Sequence, residues 1–209
     1  RCSLAEANIK VVKIFGDTPT YQSHILAALD AVIKDNALDR QPGVANLSWN
    51  IPKNNYIEAK LQSLIDNNIL VVCAAGNNGI PIADVTPASM LDVITVGSFN
   101  KEFEPSNFSN YTSPNALTNT NNAVNYGMID IWAPGEHILV ATLDGGYNYA
   151  AGTSLSSAIE TMALAYQLGD RYATEGILDE ELTFGSLKYY YSGAECSKGG
   201  LLTLTGNYS

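Results

Sequence analysis

The strongest constraint on the fold is an alternation of apolar runs with segments of helical periodicity. Residues 44–49, 69–75 and 92–97 are nearly continuous in apolar side chains, which is typical of strands covered on both faces. Residues 25–33 and 57–65 instead repeat apolar side chains every three to four positions, which predicts helices. The order strand, helix, strand, helix, strand predicts an α/β fold with a mostly parallel sheet.

Three further elements are predicted outside this alternation. Residues 9–15 are rich in β-branched side chains and are followed by Gly16, so they predict a strand. Residues 153–168 predict a long helix that ends at Gly169, and residues 179–191 predict a shorter one. We expect the long helix to bury an apolar face formed by Leu155, Ala158, Ile159, Met162, Ala163 and Tyr166.

The composition is that of a globular chain with an acidic surface. Hydrophobic residues make up 46% of the 209 residues and charged residues 15%, which excludes disorder as the global state. A single domain spanning residues 1–209 is predicted. The net charge of −10 disfavours binding to nucleic acid or to anionic membranes, and no apolar stretch reaches the ~20 residues of a spanning helix.

The three cysteines do not indicate a metal site. Cys73 lies inside an apolar run and is predicted to be a buried thiol. Cys2 and Cys196 lie near the two ends of the chain, where a disulfide between them and two free thiols are both compatible with the sequence. Zinc binding is disfavoured because no Cys-x-x-Cys pair occurs and because His24 and His137 are distant from all three.

The first candidate for chemistry is the Gly152-Thr153-Ser154 tripeptide at the start of the long helix. The first turn of a helix carries free backbone N–H groups and the positive end of the helix dipole. Both would stabilise a negative charge that develops beside the Ser154 hydroxyl. The alternative is that Thr153 or Ser154 only caps the helix.

The second candidate is Asn77, in the turn Ala-Ala-Gly-Asn-Asn-Gly at residues 74–79. Asparagine is common in such turns because it tolerates a left-handed backbone. The functional alternative is that its side-chain amide donates to an oxyanion. The turn follows a buried strand, and ligands of parallel sheets bind where the strands end.

Together the two motifs resemble the subtilisin-like serine peptidases. Residues 71–79 resemble the family's oxyanion-asparagine segment, and residues 152–158 resemble its nucleophile motif Gly-Thr-Ser-Met-Ala-Ser-Pro. The resemblance covers about residues 4–168 and implies a three-layer α/β/α fold whose early strands are missing from this chain. Other segments that match in order are residues 10–16, 45–49 and 87–97, Phe-Ser-Asn at 108–110 and Ala-Pro-Gly at 133–135.

The resemblance implies a role for each part of the site. Ser154 would be the nucleophile of an acyl-enzyme reaction, and Asn77 would be the side-chain oxyanion donor. Asn50 stands where the family usually has glycine, which implies a narrower cleft. The residues that would bind substrate are Ser48, Trp49 and Asn50 on one wall, Ala74, Ala75 and Gly76 on the other, and Gly152 and Thr153 beside the nucleophile.

The family's aspartate and histidine motifs do not occur in these 209 residues. Because the triad runs Asp, His, Ser along the chain, we expect both residues to precede Arg1. His24 is interpreted as an exposed helix residue and His137 as a loop residue, neither serving as the base. The activity then requires a companion N-terminal chain or an omitted N-terminal segment that carries both residues. The alternative is an inactive pseudopeptidase that acts as a binding or regulatory partner.

The resemblance also bears on cofactors, partners and location. No cofactor is expected for catalysis. Family members often bind structural Ca²⁺, which the acidic surface would allow, but the sequence assigns no ligands. A polypeptide substrate and a secreted or exported location are implied.

Overall fold

Five parallel strands form the central sheet in the part of the chain that the structure describes. A computed structural model describes residues 8–16, 19–39, 43–112, 128–175 and 200–201. Its helices are α1 (Gln22–Asp39), α2 (Asn55–Asp66) and α3 (Thr153–Glu175). Its strands are β1 (Gly43–Leu47), β2 (Ile51–Pro52), β3 (Ile69–Ala74), β4 (Val85–Thr86), β5 (Ile94–Phe99), β6 (Ile131–Pro134), β7 (Ile138–Ala141), β8 (Tyr147–Ala150) and β9 (Gly200–Leu201).

The sheet runs in the order β1-β3-β5-β6-β9 and has a helical layer on each face. The interior strand β3 is buried along its whole length, and its side chains alternate between the two layers. Val71 and Cys73 pack with residues of α1 and α2, whereas Leu70 and Val72 pack with Leu164 and other core residues on the α3 side. The predicted three-layer α/β/α arrangement is therefore confirmed. The short pairs β2–β4 and β7–β8 are antiparallel and lie outside this sheet.

The predicted strand at residues 9–15 is wrong. This segment has no strand conformation. Its apolar side chains are exposed, Val11 by 86%, except for Ile14, which is half-buried against the core. β-branched composition favours a strand only where a neighbouring strand satisfies the backbone N–H and C=O groups. The described residues supply no such partner, although Phe15 does contact the ring of Trp49.

The buried face of α3 differs from the apolar face that the sequence predicts. Ala158 and Tyr166 are exposed, and the face turned toward the sheet begins with small polar residues and ends with leucines. The helix also continues through Gly169, since a single glycine costs an interior helical position only about 1 kcal/mol. The buried residues of α3 are Thr153, Ser156, Ser157, Glu160, Ala163, Leu164 and Leu168.

Glu160 is the unexpected member of this face. It is 1% exposed, and among the described residues no group donates a hydrogen bond to its Oε2 atom. Leu164 and Leu168, which follow at helical spacing, belong to the apolar cluster between α3 and the sheet. Burial raises the pKa of the Glu160 carboxyl from 4.5 to about 7 because the charged form loses its hydration.

Glu160→Gln is expected to remove a pH dependence of stability. Below pH 4.5 the carboxyl is protonated in the folded and the unfolded chain alike. Between pH 4.5 and about 7 the unfolded chain releases this proton first, so the free energy of unfolding falls. The loss amounts to about 3 kcal/mol. Denaturant unfolding at several pH values should show this decline in the parent and not in Glu160→Gln.

Glu102→Gln is the matched control, because the Glu102 side chain is 55% exposed. We expect this variant to keep the parent's decline between pH 4.5 and 7. A Glu160→Gln protein with the same decline would contradict a titrating carboxyl at this position.

Cys73 is buried, as the sequence predicts. It is 0% exposed, and burial raises the pKa of its thiol to about 12, so it stays protonated and unreactive at neutral pH. Cys2, Cys196 and the predicted helix at residues 179–191 lie outside the described residues. No helix in the described part of the chain is both long and apolar enough to span a membrane.

Candidate active site

Three chain segments meet at the carboxyl-terminal end of the sheet's strands. Residues 48–50 follow β1 and residues 75–77 follow β3, so both leave the sheet at the carboxyl ends of neighbouring parallel strands. The first turn of α3 lies against both segments through direct hydrogen bonds. Open α/β sheets bind ligands at this end of their strands.

Ser154 lies half-buried in the first turn of α3. Its hydroxyl donates to the carbonyl oxygen of Ser48 at 3.1 Å. The Ser48 hydroxyl in turn donates to the Ser154 carbonyl at 3.0 Å, so the two residues are linked in both directions. At this end of the helix the N–H groups have no intrahelical partner, and the dipole favours negative charge beside the hydroxyl.

Asn77 is fixed beside the same turn by its side-chain oxygen. Its Oδ1 atom accepts from the backbone N–H of Thr153 at 2.9 Å and from the Thr153 hydroxyl at 2.8 Å. Because a backbone N–H can only donate, these contacts identify the oxygen of the amide and leave its NH₂ group on the other side. The NH₂ nitrogen lies 3.2 Å from the position that a Cβ atom on Gly152 would occupy.

Gly76 connects this turn to the helix. Its N–H donates to the Thr153 hydroxyl at 3.0 Å, and its φ of +107° is one that side-chain-bearing residues rarely adopt. A Cβ atom at Gly76 would lie 2.3 Å from the Asn110 amide nitrogen, so glycine is required for space as well as for conformation.

Asn110 is buried behind the turn and holds it in place. Its Oδ1 atom accepts from the N–H groups of Asn78 and Ile80 at 3.0 and 3.1 Å, and its NH₂ group donates to Ala75 at 2.9 Å. Its own N–H donates to the Gly76 carbonyl at 2.9 Å. These bonds satisfy backbone groups on both sides of Asn77. Residues 108–110 belong to a Phe-Ser-Asn motif that sequence reasoning recognised, but this contact role was missed because it depends on a distant turn.

Asn110→Ala is expected to destabilise the chain by about 2–3 kcal/mol, because up to three backbone groups lose a partner. The peptidase activity expected from the sequence resemblance leads to a second expectation, that kcat falls by more than KM rises, since the Asn77 turn loses its support. Denaturation and steady-state kinetics measure the two effects. Asn107→Ala is the control because Asn107 is exposed three residues earlier. A destabilised Asn110→Ala protein with an unchanged kcat would limit Asn110 to folding.

Each of the two histidines contacts a nearby tyrosine. His24 lies on α1, where its ring packs edge-on against Tyr21, and His137 packs against Tyr149 of β8. Both are exposed, in agreement with their interpretation from sequence. In the described ranges no three His, Cys, Asp or Glu side chains are grouped so that they could hold a metal ion, so no Ca²⁺ ligands are assigned.

The structure brings together the segments that the sequence singled out. Ser154 and Asn77 meet through Thr153, and Ser48 contacts Ser154 directly. Asn50 contacts the end of β3 by donating to the Ala74 carbonyl at 2.8 Å. Trp49 is half-buried, and its ring faces Phe15. Other predicted site residues at this end of the strands are Ala75, Gly76 and Gly152, all buried.

Comparison with known proteins identifies related sequences. The family model described as "Peptidase_S8: Subtilase family" matches residues 3–177. The subtilisin-like serine protease AsES of Sarocladium strictum is 33% identical over 163 residues, which cover 77% of this chain and 38% of that protein. Alkaline serine exoprotease A of Vibrio alginolyticus is 24% identical over 205 residues, covering 91% of this chain and 35% of that protein. The chain thus spans little more than a third of the length of these relatives.

Solved structures have the same fold. A cold adapted subtilisin-like serine proteinase superposes with a TM-score of 0.66 at 25% identity, covering 82% of this chain and 54% of that one. The S41 psychrophilic protease superposes with a TM-score of 0.71 at 21% identity, covering 86% of this chain and 59% of that one. The second likeness concerns the fold alone.

Proposed function

Since the chain belongs to the subtilase family, we propose that it carries the nucleophile and the oxyanion donor of a subtilisin-type serine endopeptidase. Its substrate would be a polypeptide. The observation that carries the proposal is the link from Asn77 through Thr153 to Ser154. Asn77 binds Thr153, the residue that precedes Ser154 in the first turn of a long helix, and this contact supports a role for the Asn77 amide as a donor near the Ser154 hydroxyl.

In the proposed reaction the Ser154 hydroxyl attacks the carbonyl carbon of a peptide bond. A tetrahedral intermediate forms, and its oxyanion accepts hydrogen bonds from the Asn77 NH₂ group and from the Ser154 backbone N–H. The amine leaves with a proton, and water then hydrolyses the acyl-enzyme. The substrate lies extended along residues 48–50, which run past the Ser154 hydroxyl.

The general base is proposed to be a histidine outside these 209 residues, oriented by an aspartate from the same companion or omitted segment. The Ser154 proton is directed at the Ser48 carbonyl, which cannot act as a base at neutral pH. A histidine that approaches the hydroxyl would replace this contact and accept the proton. We further propose a secreted or exported location, by analogy with the family.

The test is hydrolysis of a denatured protein substrate by the full-length protein, with and without a fluorophosphonate that reacts with activated serines. We expect hydrolysis that the fluorophosphonate abolishes. Intact mass spectrometry of the same sample should show the histidine-bearing segment, either as a second polypeptide or as part of a longer chain. A protein that binds the substrate and does not hydrolyse it would overturn the proposal in favour of a pseudopeptidase.

A further inference from the structure

The two walls of the proposed substrate cleft are joined by one side chain. Residues 48–50 follow β1, and residues 74–76 comprise the last residue of β3 and the two after it. The two segments therefore begin at adjacent positions, where the pairing of Leu47 with Cys73 ends. A side chain of the substrate that enters between them meets Asn50 on one side and the backbone of Ala74 on the other. The Asn50 amide already spans this distance, because its nitrogen donates to the Ala74 carbonyl at 2.8 Å.

The Asn50 amide also occupies the space beside Gly76. A Cβ atom built on Gly76 would lie 3.1 Å from Asn50 Oδ1, and it would lie 2.3 Å from the Asn110 amide nitrogen. The volume that a glycine normally leaves open is thus filled by two amide groups. One of these, Asn110, is buried, and it is bound to the turn by hydrogen bonds at both ends of its amide.

Moving Asn50 aside would leave a buried acceptor without a partner. Ala74 is 1% exposed, so its carbonyl oxygen depends on the Asn50 NH₂ group where the strand pairing ends. A buried backbone carbonyl that loses its hydrogen bond is costly. A bulky substrate side chain would therefore have to break this hydrogen bond and push the Asn50 amide aside.

We propose that Asn50 closes the cleft, so that the protein cleaves after small residues, glycine or alanine, and discriminates against large apolar ones. This inference rests on the proposed function and adds its substrate class. The loss of one buried hydrogen bond together with steric exclusion predicts a preference for alanine over phenylalanine on the order of 10- to 100-fold. A glycine at position 50 would remove both the bond and the obstruction.

The test compares two covalent probes on the full-length protein and on Asn50→Gly. Each probe is a peptidyl diphenylphosphonate with alanine or phenylalanine at the reacting position, from which the Ser154 hydroxyl displaces phenoxide. We expect the parent to react at least 10-fold faster with the alanine probe. Asn50→Gly should raise the rate of the phenylalanine probe relative to the alanine probe by at least 10-fold.

Two further variants make the result interpretable. Asn50→Ala removes the amide but keeps a Cβ atom, so it should shift the ratio in the same direction by a smaller factor. Asn68→Gly is the matched control, because Asn68 is an exposed asparagine with a φ of +58° that glycine adopts readily. It should leave the ratio at the parent value.

A fluorophosphonate without a peptide side chain separates this proposal from the one on which it rests. If the fluorophosphonate labels Ser154 and the parent reacts as fast with the phenylalanine probe as with the alanine probe, the role of Asn50 is refuted and the proposed function is not. The same holds if Asn50→Gly and Asn50→Ala both fold and leave the ratio unchanged. If the fluorophosphonate labels neither the parent nor the variants, the proposed function fails and the substrate class fails with it.

Discussion

Replacing Ser154 by alanine is expected to abolish peptide hydrolysis and to leave the fold intact. Without a nucleophile the acyl-enzyme route is closed, and such losses reach about a million-fold in kcat. The structural cost is small, because the half-buried hydroxyl makes a hydrogen bond to the Ser48 carbonyl that is worth about 1 kcal/mol. Hydrolysis of a protein substrate and thermal denaturation of the full-length variant measure the two effects.

Ser156→Ala is the matched control for this prediction. Ser156 lies on the same helix two residues later, and its hydroxyl donates to the Pro134 carbonyl at 3.2 Å. The variant loses one buried hydrogen bond and should keep its activity within a few-fold. Equal losses in Ser154→Ala and Ser156→Ala would indicate damage to α3 rather than removal of the nucleophile.

The second large effect is expected from Asn77→Asp. Aspartate has the shape of asparagine and retains an oxygen that accepts from the N–H and hydroxyl of Thr153. It lacks the NH₂ donor and brings a negative charge to the position of the oxyanion. Loss of this side-chain donor lowers kcat by about 10²–10³ in subtilisin, and we expect at least this factor here. KM should change little, because the donor acts mainly in the transition state.

Asn78→Asp controls for the added charge. Asn78 is the next residue along the turn and is exposed, so its replacement adds the same charge without touching the Thr153 contacts. We expect kcat within a few-fold of the parent. An Asn77→Asp enzyme with normal kcat, or with a raised KM alone, would show that Asn77 is a structural residue of the turn.

The sheet and the site segments could be predicted from the sequence because each is determined by the residues of a short, continuous segment. The apolar run that forms β3 has no polar face, so it is stable only as an interior strand covered on both faces. Ser154 lies in the first turn of α3 and Asn77 lies shortly after the end of β3, and the carboxyl ends of parallel strands lie on one side of the sheet. Local signals were therefore sufficient to bring these residues together.

The misassigned elements depend on contacts that are distant in sequence. Residues 9–15 have strand composition but no strand partner among the described residues, so composition alone gave the wrong element. The periodicity of α3 indicated an apolar buried face, but the face that is buried in the structure includes the polar residues Ser156 and Glu160. Likewise, the roles of Asn110 and Asn50 become visible only when their amides are seen to bind a turn and a strand end.

Mapping a fluorophosphonate adduct on the full-length protein tests most directly whether Ser154 is an activated nucleophile. Tandem mass spectrometry of the labelled, digested protein should place a single adduct on Ser154. Labelling should disappear in Ser154→Ala and persist in Ser156→Ala. An adduct on another serine, or peptide hydrolysis by a protein in which Ser154 stays unlabelled, would contradict the account.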